Sequence, residues 1–216
     1  MSEIGEVSWS TELESFFASS GEKAHCLSVL HKQSEAWYSR LRNLIDLPVI
    51  IGSGLIGFLN AGSTSMFADP KTSSIALGVG SLLVGILQTI NTYFNWAKRA
   101  EGHRISAIQY SKLYRFLTIE LSLPRHERIS PSALLKQTRD TYDRLQEVSP
   151  LLPPEILREF HKKYDKLTDI SKPEEANGLE KITVYQENPL QLRRQLSLGL
   201  PDLTPRPIAE SSRTEK

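Results

Sequence analysis

The chain has a single cysteine, Cys26, in 216 residues. No internal disulfide can form from it, and neither can a zinc centre built from several thiolates. Neither charge is in excess: 26 basic residues stand against 25 acidic ones, for a net charge of +1. A nucleic-acid footprint needs a clustered basic patch, which is missing, so no nucleic-acid partner is expected. The histidines (His25, His31, His103, His126 and His161) are scattered, without the spacing of a metal motif. There is also no glycine-rich phosphate loop, nucleophile elbow or convergent carboxylate pair. Accordingly no catalytic, cofactor-binding or metal-ligating residue is assigned, and a non-enzymatic role is expected. The acidic segment Met1–Glu6 lacks the basic-then-apolar pattern of a signal peptide, so the first apolar span is expected to act as its own insertion signal.

The most informative absence is local. From Leu47 to Ala97 only Asp69 and Lys71 are charged. They divide the stretch into charge-free runs of 22 residues (Leu47–Ala68) and 26 residues (Thr72–Ala97). A helix rises about 1.5 Å per residue, so roughly 20 residues cross a hydrocarbon core of about 30 Å. Asp69-Pro70-Lys71 is a turn signal between the runs. In the second run Ile75, Leu77, Val79, Leu82, Leu83, Val84, Ile86, Leu87 and Ile90 surround the helix and leave no polar stripe, which argues against a helix of a soluble bundle. Glycines dilute the first run, but its length suffices. The fold class expected is an all-α membrane protein: a two-helix transmembrane hairpin with long cytosolic helical extensions and an extended C-terminal tail.

Basic residues set the orientation. Lys32, Arg40 and Arg42 precede the first span, Lys98, Arg99, Arg104 and Lys112 follow the second, and the connection carries Lys71 alone. Both termini are therefore expected in the cytosol. The divisions are 1–46 for N-terminal cytosolic helices, 47–97 for the hairpin with its turn near 69–71, 98–167 for further cytosolic helices, and 168–216 for the tail.

Before the hairpin, Trp9, Leu13, Phe16 and Phe17 form an apolar cluster expected to dock on the helical bundle. Ser20-Gly21 reads as the start of the next helix, whose Leu27, Leu30, Ser34, Trp37, Leu41 and Leu44 form one heptad-like seam. Pro48 marks a first turn or kink. The second span is expected to run unbroken from about Ser73 to Ser122, with Tyr93 and Trp96 as its interfacial belt and Ala107, Tyr110, Tyr114, Leu117 and Leu121 on its cytosolic seam. Pro131 opens another helix, with Leu135, Thr138, Tyr142 and Leu145 as its stripe. A further helix carries Ile156, Leu157, Phe160, Tyr164 and Leu167. After Thr168 periodicity fails. The last 49 residues hold seven basic and eight acidic residues and five prolines, the composition of an extended or disordered tail. Within it Leu190, Leu192, Leu196, Leu198 and Leu200, with Ile182 and Val184, suit binding to a protein partner. Arg193-Arg194-Gln195-Leu196-Ser197 offers a phosphorylation motif of low specificity.

Two features of the hairpin are candidate sites. Ser74, Gly78, Ser81, Gly85 and Thr89, with Ser53 and Gly57 in the first span, let helices approach closely, as the seam of a packed hairpin or of a homo-oligomer. Gln88, Asn91 and Asn95 share one helical face, either hydrogen-bonding between helices or lining an oligomeric pore. A third candidate, His103, stands among Lys98, Arg99, Arg104 and Glu101. Packing in the bundle is the expectation for it, with pH sensing as the alternative.

The arrangement resembles the SLATT family of two-transmembrane helical proteins. The resemblance rests on Trp37-Tyr-Ser-Arg-Leu-Arg-Asn-Leu-Ile45 before Pro48, the Gly- and Ser-rich hairpin, His103-x3-Ala107-x2-Tyr110-x2-Leu113, and Glu120-Leu121, covering roughly residues 22–123. It implies a membrane-embedded hairpin with a cytosolic helical extension. Bacterial members are proposed pore-forming effectors triggered by a sensing domain, which this sequence does not display, while the long tail is closer to viral or fungal members. Two functions are carried forward. One is an anchor joining a bilayer to a protein partner through the tail, for example a minor capsid-linking protein at the inner membrane of a virion. The other is an oligomeric pore.

Overall fold

The computed structural model describes residues 8–62, 69–167, 169–177 and 182. Residues up to Glu180 form one compact unit, and those from Lys181 onward form a second, of which Ile182 is described. The described residues form helices α1 (Thr11–Ala61), α2 (Pro70–Phe94), α3 (Trp96–Ser122), α4 (Pro131–Val148), α5 (Pro154–Tyr164) and the short α6 (Glu174–Asn177), with no strand among them.

Helix α1 begins where the Ser10 hydroxyl accepts from the Leu13 amide at 3.2 Å, with Glu12 and Glu14 favourably placed in its first turn. It then runs for 51 residues, about 75 Å at 1.5 Å per residue. Ser20-Gly21 therefore does not start a new helix. The Ser20 hydroxyl donates back to the Phe16 carbonyl, and Gly21 is buried where α1 crosses α3. A Cβ at Gly21 would lie 3.6 Å from Cβ and 3.7 Å from Cδ1 of Leu117. These are ordinary van der Waals distances, so the glycine neither ends the helix nor is required by the crossing. Pro48 also lies inside the continuous helix, where its missing N–H removes a single backbone bond.

The second long helix is not continuous. It breaks at Asn95, which adopts the left-handed conformation (φ 49°, ψ 47°) between α2 and α3. Asparagine tolerates this region better than most residues. The Asn95 amide still donates to the Asn91 carbonyl at 3.0 Å, and its own carbonyl accepts from Arg99 at 3.2 Å. The break resets a register. The less exposed positions of α2 include Leu77, Gly80, Val84, Leu87 and Asn91, alternating three and four apart. Continued unbroken, that series would reach 94 or 95 and then 98, whereas α3 buries Ala100, His103, Ala107, Tyr110, Leu113 and Leu117. One left-handed residue thus turns the following helix so that both segments face α1.

The core lies between the first half of α1 and α3, closed by α4, α5 and the segment around Ala176. Phe17, Leu27, Leu30, Tyr110, Leu117 and Leu134 are among its fully buried side chains. Trp9 and Leu13 pack on it, so the N-terminal cluster docks as expected, with Phe16 left half exposed. The α5 stripe faces inward through Ile156 and Phe160, while on α4 the buried side chains include Leu134, Thr138 and Leu145, with Leu135 and Tyr142 of the expected stripe only partly buried against the core. Leu44, placed on the inner seam by its spacing, is instead 69 % exposed.

A polar clamp joins the start of α1 to the loop after α3. Both Glu14 carboxylate oxygens accept from Arg125, at 2.9 and 2.7 Å, and one also accepts from Arg128. Arg128 additionally donates to the carbonyls of Leu121 and Leu123 near the end of α3, and its guanidinium lies 4.9 Å from the Trp9 ring centroid. The hydrogen bonds from Arg125 and then Arg128 hold the Glu14 carboxyl down at about 2. A carboxyl depressed in the folded state adds stability above its ordinary value that is lost as pH falls through the folded one. Glu14→Gln should therefore lower the melting temperature at neutral pH, with the gap to the parent chain closing as pH approaches 2. A gap constant from neutral pH to 2 would show that the clamp contributes no charge-dependent stability.

Candidate functional site

The second half of α1 and helix α2 lie side by side in opposite directions. Asp46 faces Asn91, Gly52 faces Val84 and Ile56 faces Gly80. The α1 side of this seam is Ile45, Val49, Gly52, Ile56 and Leu59, again three and four apart. A Cβ at Gly52 would stand 2.9 Å from Val84 Cγ2, and one at Gly80 would stand 3.4 Å from Ile56 Cδ1. These two glycines let the helices touch. The small-residue series singled out in the sequence lies elsewhere: a Cβ at Gly57, Gly78 or Gly85 would meet nothing within 4 Å. Ser53, Ser74, Ser81 and Thr89 are likewise exposed. Ser81, Gly85 and Thr89, with Leu82, Ile86 and Ile90, line an open hollow of about 450 Å³ on the outer face of α2.

Around this seam the large apolar side chains point outward. Ile50 is 66 %, Phe58 65 % and Leu82 64 % exposed. Both helices are long and apolar enough to cross a membrane, and the share of the apolar window that is buried is 0 % in α1 and 6 % in the helical stretch containing α2. A core helix of a soluble protein hides such a window. The hydroxyls of Thr89 and Thr92 donate to the carbonyls of Gly85 and Gln88, which satisfies them within their own helix.

The polar series divides. The Asn91 amide donates to Asp46 Oδ1 at 2.6 Å, while Gln88 and Asn95 are exposed. Asp46 also pairs with Arg42, Nε to Oδ2 at 3.5 Å. Arg42, Asp46 and Asn91 therefore tie the two helices at one edge of the apolar stretch. Asp46 escaped notice in the sequence because it precedes the charge-free run by one residue. Its place four residues after Arg42 was the available signal.

Between this edge and the bundle core runs a column of stacked rings. Tyr110 stacks on His31 (centroids 5.6 Å apart, planes at 11°), His31 meets His103 (5.1 Å), His103 stacks on Tyr38 (5.4 Å, 16°), and Arg99 lies over Tyr38 at 6.0 Å. The two histidines share a hydrogen bond, Nδ1 to Nδ1 at 2.8 Å. They are 2 % and 0 % exposed, and His103 Nε2 is buried without a partner among the described residues. Such a bond needs one ring protonated at Nδ1 and the other bare there. Burial pushes both imidazoles down to about 4, with His103 adding to the effect on His31 and Arg99 to that on His103. Arg99 also donates to the Phe94 carbonyl at 3.1 Å, which links the column to the Asn95 break. His103 does pack in the bundle. Its pairing with His31 was not read from the sequence, although His31 falls three residues before Ser34 and four after Leu27 on the seam.

The proposed tail boundary moves. Residues 169–177 pack on the bundle: the Ser171 amide donates to Glu22 at 2.8 Å, Cys26 Sγ lies 4.0 Å from the Ser171 carbonyl oxygen, and Pro173 and Ala176 are buried. Ile182 is exposed. Leu190, Leu192, Leu196, Leu198, Leu200 and the Arg193–Ser197 motif lie outside the described residues. Comparison with protein-family models, curated proteins and solved structures finds no match.

Proposed function

We propose that the chain is a non-enzymatic integral membrane protein. Its apolar helix pair anchors a cytosolic helical bundle, which carries a partner-binding tail. The observation that supports this most is the outward direction of the apolar side chains on the second half of α1 and on α2, which lipid would cover. The Arg42–Asp46–Asn91 contact then lies near the interface, with Arg40, Lys98 and Arg99 on the same side and both termini in the cytosol. The outward series Ser74, Gly78, Ser81, Gly85 and Thr89 suits contact with a second copy, since small residues let helices associate in lipid. A pore lined jointly by Gln88, Asn91 and Asn95 has less support, because the Asn91 amide is engaged by Asp46.

Extraction with alkaline carbonate tests the anchor. The full chain should stay in the membrane pellet and leave it only with detergent, and release by carbonate alone would overturn the reading. Truncation after Glu180, the limit of the first compact unit, should leave the pelleting unchanged and abolish recruitment of the tail's partner.

A further inference from the structure

We propose that His31 and His103 form a proton-operated latch between α1 and α3, closed when both rings are neutral and opened when both are protonated. The argument starts from the geometry of the pair. With both rings neutral, one Nδ1–H donates to the other Nδ1 across 2.8 Å. A first proton can enter at the far nitrogen of the donor ring and leave this bond intact. A second must occupy the accepting Nδ1, which places two N–H groups against each other and adds a second positive charge to a buried site. The bond is then lost and the rings repel. Because one ring belongs to α1 and the other to α3, the repulsion acts directly on the contact between the two longest elements of the bundle.

The surroundings reinforce this response. The groups facing the pair are Tyr38 from α1 and Arg99 and Tyr110 from α3, while Tyr142 of α4 stands edge-on to Tyr110 and Glu175 of α6 acts on Tyr110 from further out. Arg99 is a fixed positive charge that opposes protonation of His103. Glu101 and Arg104, beside His103 in sequence, pair with each other at the surface. A charged His103 would carry a buried Nε2–H with no acceptor among the described residues, which adds to the cost of charging the pair. A shared metal ion does not fit this spacing, because two nitrogens bound tetrahedrally to one zinc at about 2.0–2.1 Å would stand roughly 3.3 Å apart. With both rings depressed from 6.5 to about 4, the latch stabilises the bundle above 6.5, and that contribution declines as pH falls and is gone below about 4. The inference rests on the bundle alone and does not depend on membrane insertion.

The test uses the full chain in detergent, with Cys26→Ala and spin labels on Lys32→Cys and Ile105→Cys, both exposed positions on α1 and α3. The expected result is one narrow distance distribution near pH 7.5 and a longer, broader one near pH 3, below the value at which both rings take up protons. The double variant His31→Phe, His103→Leu replaces the pair with apolar groups and should keep the narrow distribution at both pH values. The proposal is overturned if the parent distances do not change with pH, or if the double variant opens as the parent does, since His25, His126 and His161 remain in it. Should the double variant fail to fold at neutral pH, nitrogen-15 NMR of the unsubstituted imidazoles decides. Protonation of both rings coincident with opening supports the latch, and protonation uncoupled from opening sinks it.

Discussion

Gly52→Leu should force the second half of α1 away from α2. A Cβ at this position already stands 2.9 Å from Val84 Cγ2, closer than real Cβ contacts allow, and a leucine adds three further carbons toward the same helix. Overpacking of this kind costs about 1–3 kcal/mol in a well-packed core. The same substitution at Gly85 meets open space and should leave the intrachain contact intact. Cysteines at Val49 and Leu87, which flank the Gly52–Val84 contact on the seam, report the difference in a Cys26→Ala background through the yield of a short bifunctional maleimide cross-link. The yield should collapse in Gly52→Leu and persist in Gly85→Leu. In mild detergent, Gly85→Leu should instead reduce association between copies, because leucine's bulk covers the outward small-residue face. Equal cross-linking in both variants would show that Gly52 is not at the contact.

The second large effect is expected at Leu117. This side chain is 1 % exposed and sits between Gly21 of α1 and the rest of the core. Leu117→Ala removes buried carbons where two long helices hold the surrounding backbone in place, and such changes cost about 2–5 kcal/mol. The opposite change across the same contact has the opposite sign. At Gly21 an added methyl would make ordinary contacts of 3.6 and 3.7 Å with Leu117, and alanine is favoured over glycine in a helix by about 1 kcal/mol. Denaturant unfolding should show Leu117→Ala strongly destabilised and Gly21→Ala slightly stabilised. Destabilisation by Gly21→Ala would mean that the crossing has no tolerance for a methyl group.

Much of the helical architecture was legible in the sequence because it follows from local quantities. Two long charge-free runs, proline at the start of α4 and the three–four spacing of Leu27, Leu30, Ile156 and Phe160 need no knowledge of partners. The misreadings share one physical origin. Gly21 and Asn95 carry the same local signal in a sequence whether they end a helix, allow a close approach or shift a register. Gly21 stays inside α1, packed against Leu117, whereas Asn95 breaks a helix that its apolar neighbours would continue.

The candidate sites divide along the same line. A stripe of small residues is visible along one helix, but which stripe meets the neighbouring helix depends on the rotation of both. That rotation selects Gly52 and Gly80 and leaves Gly78 and Gly85 outside. The pairings Asp46–Asn91 and His31–His103 join positions 45 and 72 residues apart, and nothing in either local sequence specifies the other. By itself, the sequence determined that this chain forms long helices with two apolar stretches of membrane-crossing length, since composition and periodicity act within each helix. Only the tertiary structure decided which glycines make contact, where the second long helix breaks and that two histidines meet in the core, because each of these depends on what the other helix places opposite.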